Sequence, residues 1–213
     1  MNNYLKKTIS IYDKIAHDYA KGVLKYTPEI EREKFITLIK KGGLILDVGC
    51  AAGRDCEYFY KKGFQVRGID LSRNLLKIAN QQLPKINFQI QDVRSLHFPN
   101  FSFDGIFACA VLLHLKRPEI FPVIQSFYRI LKDGGIVFVM MKQGKGESDI
   151  KEELSSGESR HFVLVKSDEI NQWMNDAGFS IIELYTWNSQ DRWPDGRNVE
   201  WISCFAKKDR RVA

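Results

Sequence analysis

Apolar and polar positions change period several times along the chain, and those changes mark its elements. Leu44–Val48 (LILDV) is a short apolar run closed by a glycine-rich turn, which predicts a buried strand. Arg54–Lys62 follows with helical spacing and stops at Gly63. Gln65–Asp70 predicts a second strand, and Ser72 is placed to cap a helix running to Gln82. Ile86–Ile90 alternates as a third strand, and Phe103–Cys109 reads as a fourth. Pro118–Leu131 predicts a helix with proline in its first turn. Asp133-Gly134-Gly135 reads as the turn that ends it and opens a fifth strand, Ile136–Met141. Strands alternating with crossover helices imply a parallel sheet covered by helices on both faces.

Outside this middle region the pattern changes. Glu29–Lys41 spaces Ile30, Phe35, Leu38 and Ile39 as an amphipathic helix, expected against the sheet edge. Lys142–Ser159 is polar and glycine-dotted, which predicts a long loop. Ser167–Ala177 reads as a helix ended by Gly178. Phe179–Trp187 and Glu200–Ala206 are apolar segments joined by a loop that holds Pro194 and Gly196, so an antiparallel hairpin is expected.

Composition narrows the class. The 213 residues, 44% hydrophobic and 27% charged, match a globular chain and exclude a disordered one. One domain over 1–213 is expected. Its longest apolar run, Ile106–Leu115, contains His114 and falls far short of the ~20 residues that cross a bilayer. The opening MNNYLKKTISIYDK has no continuous apolar stretch, so neither a signal peptide nor a membrane association is expected, and the location expected is cytoplasmic. Cys50, Cys56, Cys109 and Cys204 form no C-x-x-C pair and no cluster with metal spacing. They are expected as small buried apolar residues, and no metal site is expected. The net charge of +6 is mild and leaves a nucleic-acid substrate open without requiring one.

Candidate chemistry gathers at strand ends. The loop Asp47-Val48-Gly49-Cys50-Ala51-Ala52-Gly53 joins the first strand to the first crossover helix, where open α/β sheets bind ligands. A dinucleotide site uses G-x-G-x-x-G with amides facing a pyrophosphate. Here the spacing is G-x-A-x-G, and Asp47 would repel a pyrophosphate while suiting a cationic ligand. Asp70 ends the second strand, where a carboxylate takes ribose hydroxyls, and Asp92 follows the third, where one could accept from an adenine amino group. Any one of them could serve as a turn residue; all of them in register behind a glycine loop point to a ligand.

These residues resemble the class I S-adenosylmethionine-dependent methyltransferases over nearly the whole chain. LILDVGCAAGRD is similar to that family's first motif and GIDLS to the second. QDVRSLHFPNFSFDGIFACAVLLHL covers the third and fourth, and LKDGG before IVFVMM matches the turn into the fifth strand. Ala51 departs from the glycine of many members. The resemblance implies a Rossmann-like three-layer α/β/α sandwich with a seven-stranded, mostly parallel sheet whose last strand is antiparallel. It implies S-adenosylmethionine as cofactor and S-adenosylhomocysteine as product. The cofactor set it implies is Asp47, Gly49, Cys50, Ala51, Gly53 and Arg54 around the methionine part, with Ala108 and Cys109 beside it. Asp70 would bind the ribose, with Leu71 beside the adenine, Asp92 and the Val93 amide would read the adenine, and Ser72 belongs to the same cofactor set. Tyr12 and Tyr19, spaced around Ala16 in IYDKIAHDYA, would pack over the cofactor, or serve only as amphipathic packing. Residues 1–41 would then be a helical cap, 42–141 the cofactor-binding half and 142–213 the substrate side.

Methyl transfer needs alignment more than covalent help, and a base only when the acceptor keeps its proton until late. His114, just past the fourth strand, is the candidate base; its alternative role is to shape the pocket. Lys142, Glu147, Arg160, His161 and Phe162 are placed to reach a substrate above the sheet. The place where base-amino methylating enzymes carry Asn/Asp-Pro-Pro-aromatic reads ACAVLLHL, and Cys109 has no neighbouring proline as cytosine C5 enzymes do. The substrate-side segment is similar to compact bacterial small-molecule methyltransferases of unassigned substrate, on LLHL and KQGKGE. Arg160-His161-Phe162 also echoes the enzymes that esterify the carboxymethyl group of wobble uridine in tRNA. The expected acceptor is a small molecule, gripped by arginine if it is anionic. The alternatives are tRNA, met by the basic tail from Lys207-Lys208 to Arg210-Arg211, and a non-catalytic cofactor-binding partner protein.

Overall fold

The structure, a computed structural model, describes residues 3–151, 157–193 and 198–209. Pro194, Gly196, Arg210 and Arg211 lie outside the described residues.

The alternating middle folds as its pattern predicts. Strands β1 (Leu44–Val48), β2 (Gln65–Asp70), β3 (Asn87–Ile90) and β4 (Phe103–Cys109) are parallel neighbours. Helices α4 (Arg54–Lys61) and α5 (Arg73–Gln82) cross between them, and α6 (Arg117–Ile130) leads into β5 (Leu131–Lys142). β1 is apolar on both faces because both are covered; Ile45, Leu46 and Val48 are buried. Ser72 caps α5, its Oγ accepting from the Leu75 amide at 3.2 Å.

The carboxyl-terminal part reverses the sheet. Helix α7 (Ser167–Asp176) precedes β8 (Phe179–Asn188) and β9 (Glu200–Lys208), which pair antiparallel. The sheet order is β3-β2-β1-β4-β5-β9-β8, with β9 inserted antiparallel between β5 and β8. The fold is therefore Rossmann-like, with the last strand reversed as expected.

Three expectations need correction. Asp133-Gly134-Gly135 is no turn between helix and strand: α6 ends at Ile130, and Leu131 already pairs with Phe103. Gly134, at φ +81°, lies at the register shift that precedes the main ladder from Gly105 and Ile136. The segment expected as a loop contains β6 (Glu147–Lys151), paired antiparallel with β7 (Ser159–Val163). Helix α3 (Glu29–Leu38) packs on the face of the sheet, not on its edge. Phe35 meets Phe59 of α4 and Phe107 of β4, and Phe107, Phe138 and Phe205 run as a row across β4, β5 and β9. A Cβ on Gly105 would sit 2.3 Å from Ile39 Cδ1, so the close approach of this helix requires glycine there.

At the amino-terminal side, α1 (Asn3–Lys14) and α2 (Ala16–Gly22) lie over α5. Asp13 fastens α1, accepting from Ser72 Oγ at 2.6 Å and from the Asn74 amide at 3.0 Å. Among the described residues, no helix is long and apolar enough to cross a membrane.

Candidate active site

The carboxyl ends of β1, β2, β4 and β5 open into a cavity of about 580 Å³ beneath α1 and α2. That is room for a cofactor-sized and a small second ligand.

One end is built by the glycine loop. The Gly49 and Cys50 amides donate to the Ile69 carbonyl at 2.8 and 3.0 Å, which pins the loop to β2. Gly49 turns at φ +71°, where a Cβ would strike Val111 Cγ2 at 2.5 Å. Asp70 accepts from the Ala51 amide at 2.9 Å and the Ser72 amide at 2.8 Å, bridging loop and helix; burial pushes its carboxyl up. Asp47 is 2% exposed and accepts from Cys56 Sγ at 3.1 Å. Burial, then the Asp55 carboxylate, pushes Asp47 up to about 8. Arg54 donates to Asp55 and to the carbonyls of Val23 and Tyr26, tying the segment after α2 to α4. Burial works to raise Asp92, but its hydrogen bonds to Arg94 hold it below the usual carboxylate range.

The other end carries a polarised chain of hydrogen bonds. His114 ends a short 3₁₀ turn, Leu112–His114, beyond β4. Its Nδ1 lies 2.9 Å from the His161 carbonyl, which can only accept, so Nδ1 carries the proton. Nε2 must then accept, and it does so from Tyr12 Oη at 2.9 Å. Arg160 Nη1 donates to that same Tyr12 oxygen. Burial, with Arg160 beside it, pushes His114 down to about 3, so its ring is neutral at neutral pH. Arg160, 2% exposed, lies 4.8 Å from the Tyr12 ring centroid and 5.3 Å from that of Phe162. Lys142, 6% exposed, sits 4.2 Å from the Phe162 ring and 5.6 Å from that of Trp201.

Most of the expected site residues thus meet in one cavity: Tyr12, Tyr19, Asp47, Gly49, Cys50, Ala51, Gly53, Arg54, Asp70, Leu71, Asp92, Val93, Cys109, His114, Lys142, Arg160 and Phe162 all line it. Ser72, Ala108 and Glu147 do not. Ser72 is spent on the helix cap and on Asp13. Ala108 is buried inside the sheet, and its neighbour Ala110, at φ +53°, lines the cavity instead. Glu147 lies on β6, outside the cavity, and accepts from the Arg117 amide at 2.9 Å. Alternation along β7 explains the rest: Arg160 and Phe162 point inward, while the His161 ring turns toward Glu147 and Asp149. Within the basic tail Lys207 is exposed, but Lys208 needs correction. Lys208 is 2% exposed and donates to the Tyr128 and Leu131 carbonyls, so it does not face solvent. Trp201 and Trp193 were absent from the expected set. Trp201 pairs directly with Lys142, a neighbour that only strand order supplies.

Comparison with known proteins agrees with this geometry. A family described as a methyltransferase domain matches residues 45–135. The chain is 29% identical over 165 residues to a ubiquinone biosynthesis O-methyltransferase of Coxiella burnetii, covering 71% of this chain and 69% of that one. It is 30% identical over 150 residues to phosphoethanolamine N-methyltransferase 1 of Arabidopsis thaliana, covering 68% of this chain but only 30% of that longer protein. The fold also matches a 1,6-didemethyltoxoflavin-N1-methyltransferase of Burkholderia thailandensis, solved with 1,6-didemethyltoxoflavin and S-adenosylhomocysteine, at a TM-score of 0.69 and 16% identity, covering 99% of this chain and 92% of that one.

Proposed function

We propose that this chain, which carries a methyltransferase domain and is related to S-adenosylmethionine-dependent methyltransferases, moves a methyl group onto a small-molecule acceptor. One observation carries the reading: the strand-end carboxylates and the Arg160–Tyr12–His114 chain line the same cavity.

The cofactor end fits the group. Asp47 and Asp70 offer acidic character to a sulfonium-bearing nucleoside, and Gly49 and Gly53 turn the loop at positive φ without a side chain of their own. Leu71, Asp92 and Val93 would receive the adenine side. When bound, S-adenosylmethionine supplies an electrophilic methyl group on a sulfonium, displaced in line by the acceptor. Tyr12, Tyr19 and the α1–α2 cap exclude water from that line. At the acceptor end, Tyr12 Oη, its own proton held toward the neutral His114 Nε2, presents its oxygen to the acceptor's proton and aligns the acceptor, and the His161 carbonyl holds the ring in the tautomer this requires. Residues 1–41 act as the cap, 42–141 as the cofactor half and 142–213 as the acceptor side.

A small molecule is the acceptor class this reading adopts over tRNA; Lys208, held by backbone carbonyls, offers a phosphate backbone no contact. Transfer of tritiated methyl from S-adenosylmethionine into a metabolite extract, set against bulk tRNA, tests this. Label in the small-molecule fraction is expected. Label in tRNA alone would overturn the acceptor class; tight cofactor binding with label in neither would indicate a non-catalytic partner protein.

A further inference from the structure

Asp13 stands where its own helix disfavours it. It is the second-last residue of α1, and a negative charge in the last turn of a helix opposes the helix dipole. Its Oδ1 instead meets the N-terminus of α5, accepting from the Asn74 amide at 3.0 Å and from Ser72 Oγ at 2.6 Å. The Asn74 side chain donates back to the Asp13 carbonyl at 2.9 Å. Ser72 already caps α5 through the Leu75 amide, so that helix end keeps a cap without Asp13. What Asp13 adds is a link between elements. Ser72 donates its hydroxyl proton to Asp13 and its amide proton to Asp70 Oδ1. The other oxygen of Asp70 accepts from the Ala51 amide in the glycine loop. Asp13, Ser72, Asp70 and Ala51 thus form one hydrogen-bonded line from α1 to that loop, although Asp13 itself does not line the cavity.

The residue before Asp13 is Tyr12, whose Oη bonds His114 Nε2. Successive residues leave a helix about 100° apart, so fixing Asp13 fixes the rotation at which Tyr12 enters the cavity. Apolar packing does not set that rotation, because it is non-directional. Tyr12 and Tyr19 pack there on a small apolar cluster of Ala16, Leu75 and Ile78, apart from the main core. Two ion pairs of α1, Lys7–Asp149 and Lys14–Glu158, are exposed and reach the β6–β7 side, not the cofactor end. We propose that Asp13 is a positioning residue for methyl transfer: through Ser72 it holds Asp70 and the glycine loop in shape for the cofactor, and through α1 it sets Tyr12 against the acceptor. This inference rests on the methyl-transfer reading and goes beyond it by coupling the two ligand ends through a residue outside the cavity.

The test uses the full chain. It measures S-adenosylhomocysteine affinity by calorimetry, and the initial rate of tritiated-methyl transfer into a metabolite extract at saturating S-adenosylmethionine. Asp13→Ala should weaken S-adenosylhomocysteine about fivefold or more, the scale on which a linking network modulates a site. It should also lower the saturated rate about tenfold or more, within what a misplaced reactant costs. Asp13→Asn keeps an oxygen acceptor for Ser72 and Asn74, and should restore both quantities to within about threefold of the unmodified chain. Lys7→Gln combined with Lys14→Gln loosens α1 on its other side, and should change neither quantity more than about twofold. If Asp13→Ala does not fold, Asp13→Glu, which moves the carboxylate by one methylene, is read in its place. Unchanged affinity, an unchanged saturated rate, no rescue by Asp13→Asn, or an equal loss in the lysine variant overturns the proposal. Failure of the unmodified chain to bind S-adenosylhomocysteine or to transfer label would instead overturn the methyl-transfer reading beneath it.

Discussion

His114 Nδ1 faces a carbonyl, and that contact decides what its other nitrogen does. Nε2 is an acceptor already engaged by Tyr12, so in the proposed transfer the histidine would act through the tyrosine rather than directly on the acceptor. Tyr12→Phe should therefore lower kcat by about 100-fold, on the scale that a misaligned reactant costs. Adding His114→Gln should cost little more, since the residues act as one unit. Steady-state kinetics of the single and double variants check this. Asp47 obeys a different balance. Burial and Asp55 raise its pKa to about 8, so near pH 7 the free protein holds the proton on Asp47. A cationic ligand beside it stabilises the carboxylate and pulls that pKa down, so binding S-adenosylmethionine at pH 7 releases a proton. The heat of binding should then vary with the ionisation enthalpy of the buffer, and Asp47→Asn should remove the variation.

Between β1 and α4, the loop is held in shape by hydrogen bonds that oppose one of its own residues. Ala51 is a non-glycine residue at φ +49°, kept there by its amide bond to Asp70. The left-handed region costs an L-residue roughly 1–2 kcal/mol. Glycine avoids that cost but loses about 0.5–1 kcal/mol in unfolded-chain entropy. Ala51→Gly should accordingly stabilise the fold by about 0.5–1 kcal/mol, read by urea unfolding. The departure from the family's glycine at this position was visible in the sequence, but its strain was not, because φ follows from where Asp70 and Ile69 pin the loop. The same holds for Gly105: nothing in its local pattern shows that α3 lies against it.

Over the whole molecule, the reversed strand ties both halves together. β9 pairs with β5 and β8, and its last residue, Lys208, reaches the carbonyls at the end of α6 at 2.8 and 2.9 Å. Lys208→Met should leave those carbonyls short of a donor and lower stability by about 1–3 kcal/mol. Chemical denaturation measures this, and S-adenosylhomocysteine affinity should stay unchanged because Lys208 does not line the cavity. Strands β1 to β4, the crossover helices and the acidic strand ends were legible from periodicity, caps and spacing, which are properties of residues close in sequence. The β6–β7 pair was not, because its polar residues carry no strong alternation and its pairing defines it. By itself the sequence determined the alternation of β1 to β5 with their crossover helices and the acidic ends of β1 and β2, since each of those strands carries its carboxylate at its own end. Only tertiary structure brought the residues of the other end together and added Trp201 to them. Tyr12, His114, Arg160 and Trp201 belong to four separate elements, and they meet only because sheet order and the docking of α1 minimise exposed apolar surface across the whole chain.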